Sequence, residues 1–86
     1  VKKHVKIYLE YFGYDNGDFI ACEVCKNKAV DIHHIEPRGM GGNKKKDKIE
    51  NLIALCRSCH IKADFGHGKN KLSKEYIKQI HLNNIN

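Results

Sequence analysis

Two cysteine pairs, "CEVC" at Cys22 and Cys25 and "CRSC" at Cys56 and Cys59, restrict the fold of this chain more than any other feature. Thiolates two residues apart can both reach one tetrahedral ion about 2.3 Å from each sulfur, and four of them close its coordination sphere. Disulfides would need an oxidising compartment, for which the sequence gives no sign, and a redox CxxC would use one pair and leave the other idle. The four cysteines therefore read as a structural Zn2+ site that fastens residue 22 to residue 59. Such a staple matters here. The chain has 86 residues, 8% aromatics and no Trp, so its core is thin, and zinc binding supplies on the order of 10 kcal/mol to the folding of small domains.

Sixteen Lys and Arg against ten Asp and Glu give a formal charge of +6, which favours polyanionic partners through phosphate neutralisation and counterion release. No apolar run approaches the roughly 18 to 20 residues that span a bilayer, and the N-terminus lacks a signal-peptide pattern. The expectation is an intracellular, cytoplasmic protein without membrane attachment, with a phage or mobile element as one source. The first residue is Val1 rather than Met, and a piece of a longer protein is an alternative.

Along the chain, Val5, Tyr8, Leu9 and Phe12 fall at helical spacing and Gly13 offers an end, so a helix is expected over about 4–12. "AVDIHHI" and "NLIALC" are short apolar runs, the first stopped by Pro37, and they read as two strands of a hairpin. The glycine-rich, basic segment between them reads as an exposed loop. A helix follows from Arg57 to about Phe65, ending at Gly66. Ser73 caps a last helix over about 73–83, with Leu72 stapled to Ile77 and with Tyr76, Ile77 and Ile80 on one face. The whole is one α+β domain over 1–86, with flanking helices at both ends.

The histidines carry the chemistry. A lone His in a strand is ordinarily a hydrogen-bonded structural residue, but strand alternation sends His33 and His34 to opposite faces, so packing alone explains at most one of them. His60 directly follows the second CxxC pair, so the zinc staple brings its helix to the hairpin. Two neutral imidazoles and water make an open shell for a divalent metal, and a third imidazole is placed to take a proton from water. His4, His67 and His81 lack such a setting and read as surface residues.

The order CxxC, "DIHHIEPRGMGGN", "ENLIALCRSCH" closely resembles the HNH family of endonucleases over residues 22–62. The resemblance implies a zinc-stabilised ββα-metal core, with the site between a two-stranded hairpin and one helix. It implies that His34 is the general base, that His33 and His60 hold one catalytic divalent ion (Mg2+, Mn2+, Ni2+ or Zn2+), and that Asn51 steadies the hairpin loop and thereby the base. Where colicin nucleases carry a further metal-binding His, this chain has Asp64. It shares a helix face with His60 and is an additional ligand candidate.

On this reading the chain is a metal-dependent DNA endonuclease or nickase, with DNA held by Arg38, Lys44, Lys45 and Lys46 beside the site. A guanidinium grips phosphate in a bidentate way, which singles out Arg38. Two alternatives stand beside it: a zinc-knuckle nucleic-acid-binding module without catalysis, and a nuclease domain of a larger recombination or restriction protein. The zinc assignment has its own test. Elemental analysis of purified protein with four reduced thiols is expected to find one zinc per chain, and protein that folds without zinc contradicts it.

Overall fold

Strand β2, Leu52–Leu55, is apolar and buried at all four positions, and the molecule is built around it. It pairs antiparallel with β1, Asp31–His34, in the register Asp31 to Leu55, Ile32 to Ala54, His33 to Ile53 and His34 to Leu52. The computed structural model describes residues 2–15, 17–37, 46–66 and 71–86. Because side chains alternate along a strand, Leu52 and Ala54 face one side of the sheet and Ile53 and Leu55 the other. Each side needs its own cover.

Helix α1, Lys3–Phe12, covers the first side, where Tyr8 joins Ile32, Leu52 and Ala54, with Val5, Ile7 and Phe12 packed around them. It ends at Gly13, which takes the left-handed conformation (φ 74°) while the next N–H, on Tyr14, bonds the Leu9 carbonyl at 2.9 Å. That closing turn satisfies carbonyls the helix would otherwise leave unbonded. The second side is covered by α2, Arg57–Phe65, and α3, Lys74–Ile85, whose Cys59 and Ile77 pack with Ile35, Ile53 and Leu55. Ser73 caps α3 by accepting from the Tyr76 N–H at 3.1 Å.

Two residues of α3 differ from the sequence expectation. Tyr76, expected on the face of Ile77 and Ile80, is exposed, whereas His81, expected at the surface, has no exposed area at all. The reason is Glu23, an acid inside the first CxxC pair that is itself buried. Its carboxylate accepts from Tyr8 Oη at 2.7 Å, Asn84 Nδ2 at 2.9 Å and His81 Nδ1 at 2.9 Å, while His81 Nε2 donates to the Ile49 carbonyl. Both imidazole nitrogens face acceptor oxygens, so the ring carries both protons and the pair is ionic. Burial opposes the charge on each partner. It is outweighed: Glu23 is held below and His81 above their ordinary values by the hydrogen bonds between them and their neighbours.

This network ties α1 and α3 to the first CxxC turn, and a buried pair that loses one member costs about 3 to 5 kcal/mol because the other charge is left uncompensated. Glu23→Gln and His81→Ala are each expected to lower stability by about that amount, read from denaturant unfolding. The pH dependence has a defined sign. Stabilisation through His81 is complete below the ordinary imidazole value of 6.5 and fades as pH rises through the raised folded value; that through Glu23 is present above 4.5 and fades as pH falls through its lowered one. The Tm gap between wild type and His81→Ala should therefore be widest between these limits and narrow as pH rises through the raised His81 value.

Candidate metal centre

The four thiols converge. One sulfur each from Cys22, Cys25, Cys56 and Cys59 lies within 4.8 Å of all the others, with Cys25 and Cys56 3.5 Å apart and no disulfide formed. The first pair sits on a tight turn in which Lys26 adopts φ 70° and its N–H bonds the Cys22 carbonyl at 2.9 Å. The second pair opens α2, with Cys56 as N-cap accepting from the Cys59 N–H at 3.4 Å. Burial raises the Cys22 thiol, but backbone N–H groups of Cys25, Cys56 and Val24 outweigh it and bring it down to about 7. Burial and the neighbouring sulfurs push Cys59 up. Four thiolates this close cannot all ionise without a cation among them, and sulfur donors at such separations fit tetrahedral zinc.

A second group of donors lies between β1 and α2. Atoms of His33, His60 and Asp64 all fall within 4.8 Å of one another, with His60 Nε2 at 3.0 Å and His33 Nε2 at 3.9 Å from the Asp64 carboxylate. Ligands each about 2.1 Å from one ion stand about 3 to 4 Å apart, so two imidazoles and a carboxylate fit a first-row divalent metal. His33 reaches the group from β1 and His60 and Asp64 from one face of α2, one turn apart. Desolvation by burial keeps His33 below the ordinary imidazole value despite Asp64, which preserves the neutral, ligating form. The remaining His60 nitrogen, Nδ1, faces Asp31 Oδ2 at 3.5 Å. A carboxylate behind a ligating imidazole fixes its orientation and raises its basicity.

His34 lies on the opposite face of β1, toward α1. Its ring centroid is 4.6 Å from that of His4, and its Nε2 is 2.7 Å from Asp47 Oδ1. His4, expected at the surface, is half-buried there, and burial together with His34 holds it below its ordinary value. Asn51 ends the 3-10 turn Ile49–Asn51. Its side chain accepts from Glu36 N–H at 2.7 Å and donates to the carbonyls of Glu36 at 3.0 Å and Lys46 at 2.8 Å. It thus clamps the two ends of the intervening loop. Arg38, Lys44, Lys45 and His67 lie outside the described residues; Lys46 is described and half-buried.

Asp31, Asp47 and His4 were missed by sequence reasoning. Asp31 had a readable signal, since it precedes His33 by two and so shares its face of β1. Asp47 and His4 had none, because only the fold brings them to His34.

A hairpin and a helix that gather imidazoles and a carboxylate between them, beside a four-thiol cluster, make a small α+β domain with two groups of candidate metal ligands. The HNH endonuclease family model matches residues 22–66, just over half of the chain, and the chain belongs to that family. It is 32% identical over 57 residues, 66% of its length, to the Type IV methyl-directed restriction enzyme EcoKMcrA of Escherichia coli (strain K12). It is also 36% identical over 44 residues, 48% of its length, to a mitochondrial DNA mismatch repair protein mutS homolog of Sarcophyton glaucum. The matched regions span 18% and 4% of those two proteins. No solved structure matches. Among the described residues no helix is long and apolar enough to cross a membrane.

The geometry behind His60 gives an expected outcome. Asp31→Ala should weaken the affinity of zinc-loaded protein for Ni2+ by about tenfold or more, the usual effect of losing a carboxylate behind a ligating imidazole. Calorimetric titration reads this directly, and an unchanged affinity removes Asp31 from the site.

Proposed function

We propose that residues 1–86 act as one nuclease domain that hydrolyses phosphodiester bonds in DNA, with His34 as general base. In this reading His33, His60 and Asp64 hold one divalent ion, and Cys22, Cys25, Cys56 and Cys59 hold a structural zinc. The observation that carries it is the gathering of His33, His60 and Asp64 within ligand distance, with His34 adjacent in sequence and on the other face of the same strand. A module that only bound nucleic acid would have no use for that arrangement.

Phosphodiesters resist hydrolysis because their anionic oxygens repel a nucleophile and the departing alkoxide is a poor leaving group. A divalent ion held by His33, His60 and Asp64 would supply positive charge against the anionic oxygens of the phosphodiester and the departing alkoxide. His34 takes a proton from water as the oxygen attacks phosphorus in line, the P–O3′ bond breaks to leave a 5′-phosphate, and the departing 3′ oxygen takes a proton from solvent water to become the 3′-hydroxyl. Asn51 ties Glu36, two residues past His34, to Lys46, and so steadies the end of the strand that carries the base. Two open grooves meet at His33, His34 and Asp64, one leading to Lys2 and His4, the other to Lys71 and Lys74. Lys2, Lys71 and Lys74 supplement Arg38, Lys44, Lys45 and Lys46 as contacts for the backbone of one DNA strand.

The test is a supercoiled plasmid incubated with zinc-loaded protein and Mg2+, Mn2+ or Ni2+. Wild type is expected to nick or linearise it, EDTA to stop the reaction, and His34→Ala to slow it by about 100- to 10,000-fold, the span of a lost general base. A plasmid left intact with every metal, by protein that still shifts DNA in a gel, would establish a binding module instead.

A further inference from the structure

His34 is held at one nitrogen by an acid thirteen residues away along the chain. Nε2 stands 2.7 Å from Asp47 Oδ1, and the Asp47 side chain is only 4% exposed, so this is a built contact rather than a passing surface pair. An ionised carboxylate only accepts hydrogen bonds, so the hydrogen between them sits on Nε2. A neutral imidazole with its hydrogen on Nε2 presents its lone pair at Nδ1. Among the described residues no hydrogen bond falls on Nδ1, and the ring borders both grooves that lead to the metal centre.

We propose that Asp47 is a positioning residue for the nuclease reaction: by accepting from Nε2–H it fixes the tautomer and ring plane of His34, so that Nδ1 is the atom that takes the proton from water. The proposal rests on the reading of His34 as the base. After the transfer both ring nitrogens carry hydrogen, and the Asp47 carboxylate offsets the new positive charge without itself becoming protonated.

The backbone around Asp47 is arranged to hold it there. Asn51 Nδ2 bonds the Lys46 carbonyl at 2.8 Å, one peptide before Asp47, and the same amide spans the Glu36 N–H and carbonyl just past His34. One side chain therefore fixes both ends of the distance between His34 and Asp47. This gives Asn51 a second task, holding the acid behind the base as well as the end of the strand.

Asp47→Asn keeps the size of the side chain, but an amide can donate as well as accept and no longer enforces one tautomer. In zinc-loaded protein with saturating Mg2+, kcat on a duplex oligonucleotide is expected to fall about 100-fold or more. KM and zinc content should stay at wild-type values, and Asp47→Glu should recover part of the rate. Independently of any variant, long-range 1H–15N spectra of wild-type protein should place the His34 hydrogen on Nε2 and leave Nδ1 bare. Asp47→Asn retaining kcat within about threefold, or a wild-type His34 protonated at Nδ1 alone, overturns the proposal. Full activity in His34→Ala would instead remove the base assignment on which it rests, a different failure read from a different variant.

Discussion

Convergence of four thiols on one point is the constraint from which the rest of the geometry descends. It joins a turn at residues 22–25 to the first turn of α2, and because Cys56 is also the N-cap of α2, the cluster fixes where that helix starts. His60 follows the last cysteine directly and Asp64 lies one turn on, so both ligand candidates inherit their positions from the sulfur cluster. Structural zinc contributes about 10 to 16 kcal/mol to small domains whose net stability is only about 5 to 15 kcal/mol. A core resting on β2 and a few residues from each helix has little else of that size.

The ionic pair of Glu23 and His81 is a second fastening, set inside the first. Glu23 lies between two of the cysteines, and through Tyr8, His81 and Asn84 it binds both flanking helices to the turn that carries them. α1 in turn brings His4 against His34 and puts Lys2 at the rim of a groove shared with His33, His34 and Asp64. Segments outside residues 22–66 thus shape the surroundings of a site whose central residues lie within them.

What could be read in the sequence is what local spacing encodes. The CxxC pairs, the hairpin, the helical spacing around Tyr8, the Gly13 stop and the Ser73 cap depend on residues within a few positions of one another, and the family resemblance added the order of motifs along the chain. Asp47 and Glu23 were not legible because their partners lie 13 and 58 residues away, and nothing local marks an acid as destined for burial. His81 looked like a lone histidine in a polar helix. Its spacing of four from Ile77 puts both on one helix face, and that periodicity identified the buried side better than the apolar Tyr76 did.

The proposed function divides labour between two adjacent histidines, which β1 sends to opposite faces, one toward Asp64 and His60 and the other toward Asp47 and His4. Calorimetric titration of Ni2+ into zinc-loaded His33→Ala and His34→Ala tests it most directly. His33→Ala should lose at least about tenfold in affinity, while His34→Ala binds the ion as wild type does. Equal affinities in the two variants, whether both weakened or both unchanged, would contradict it.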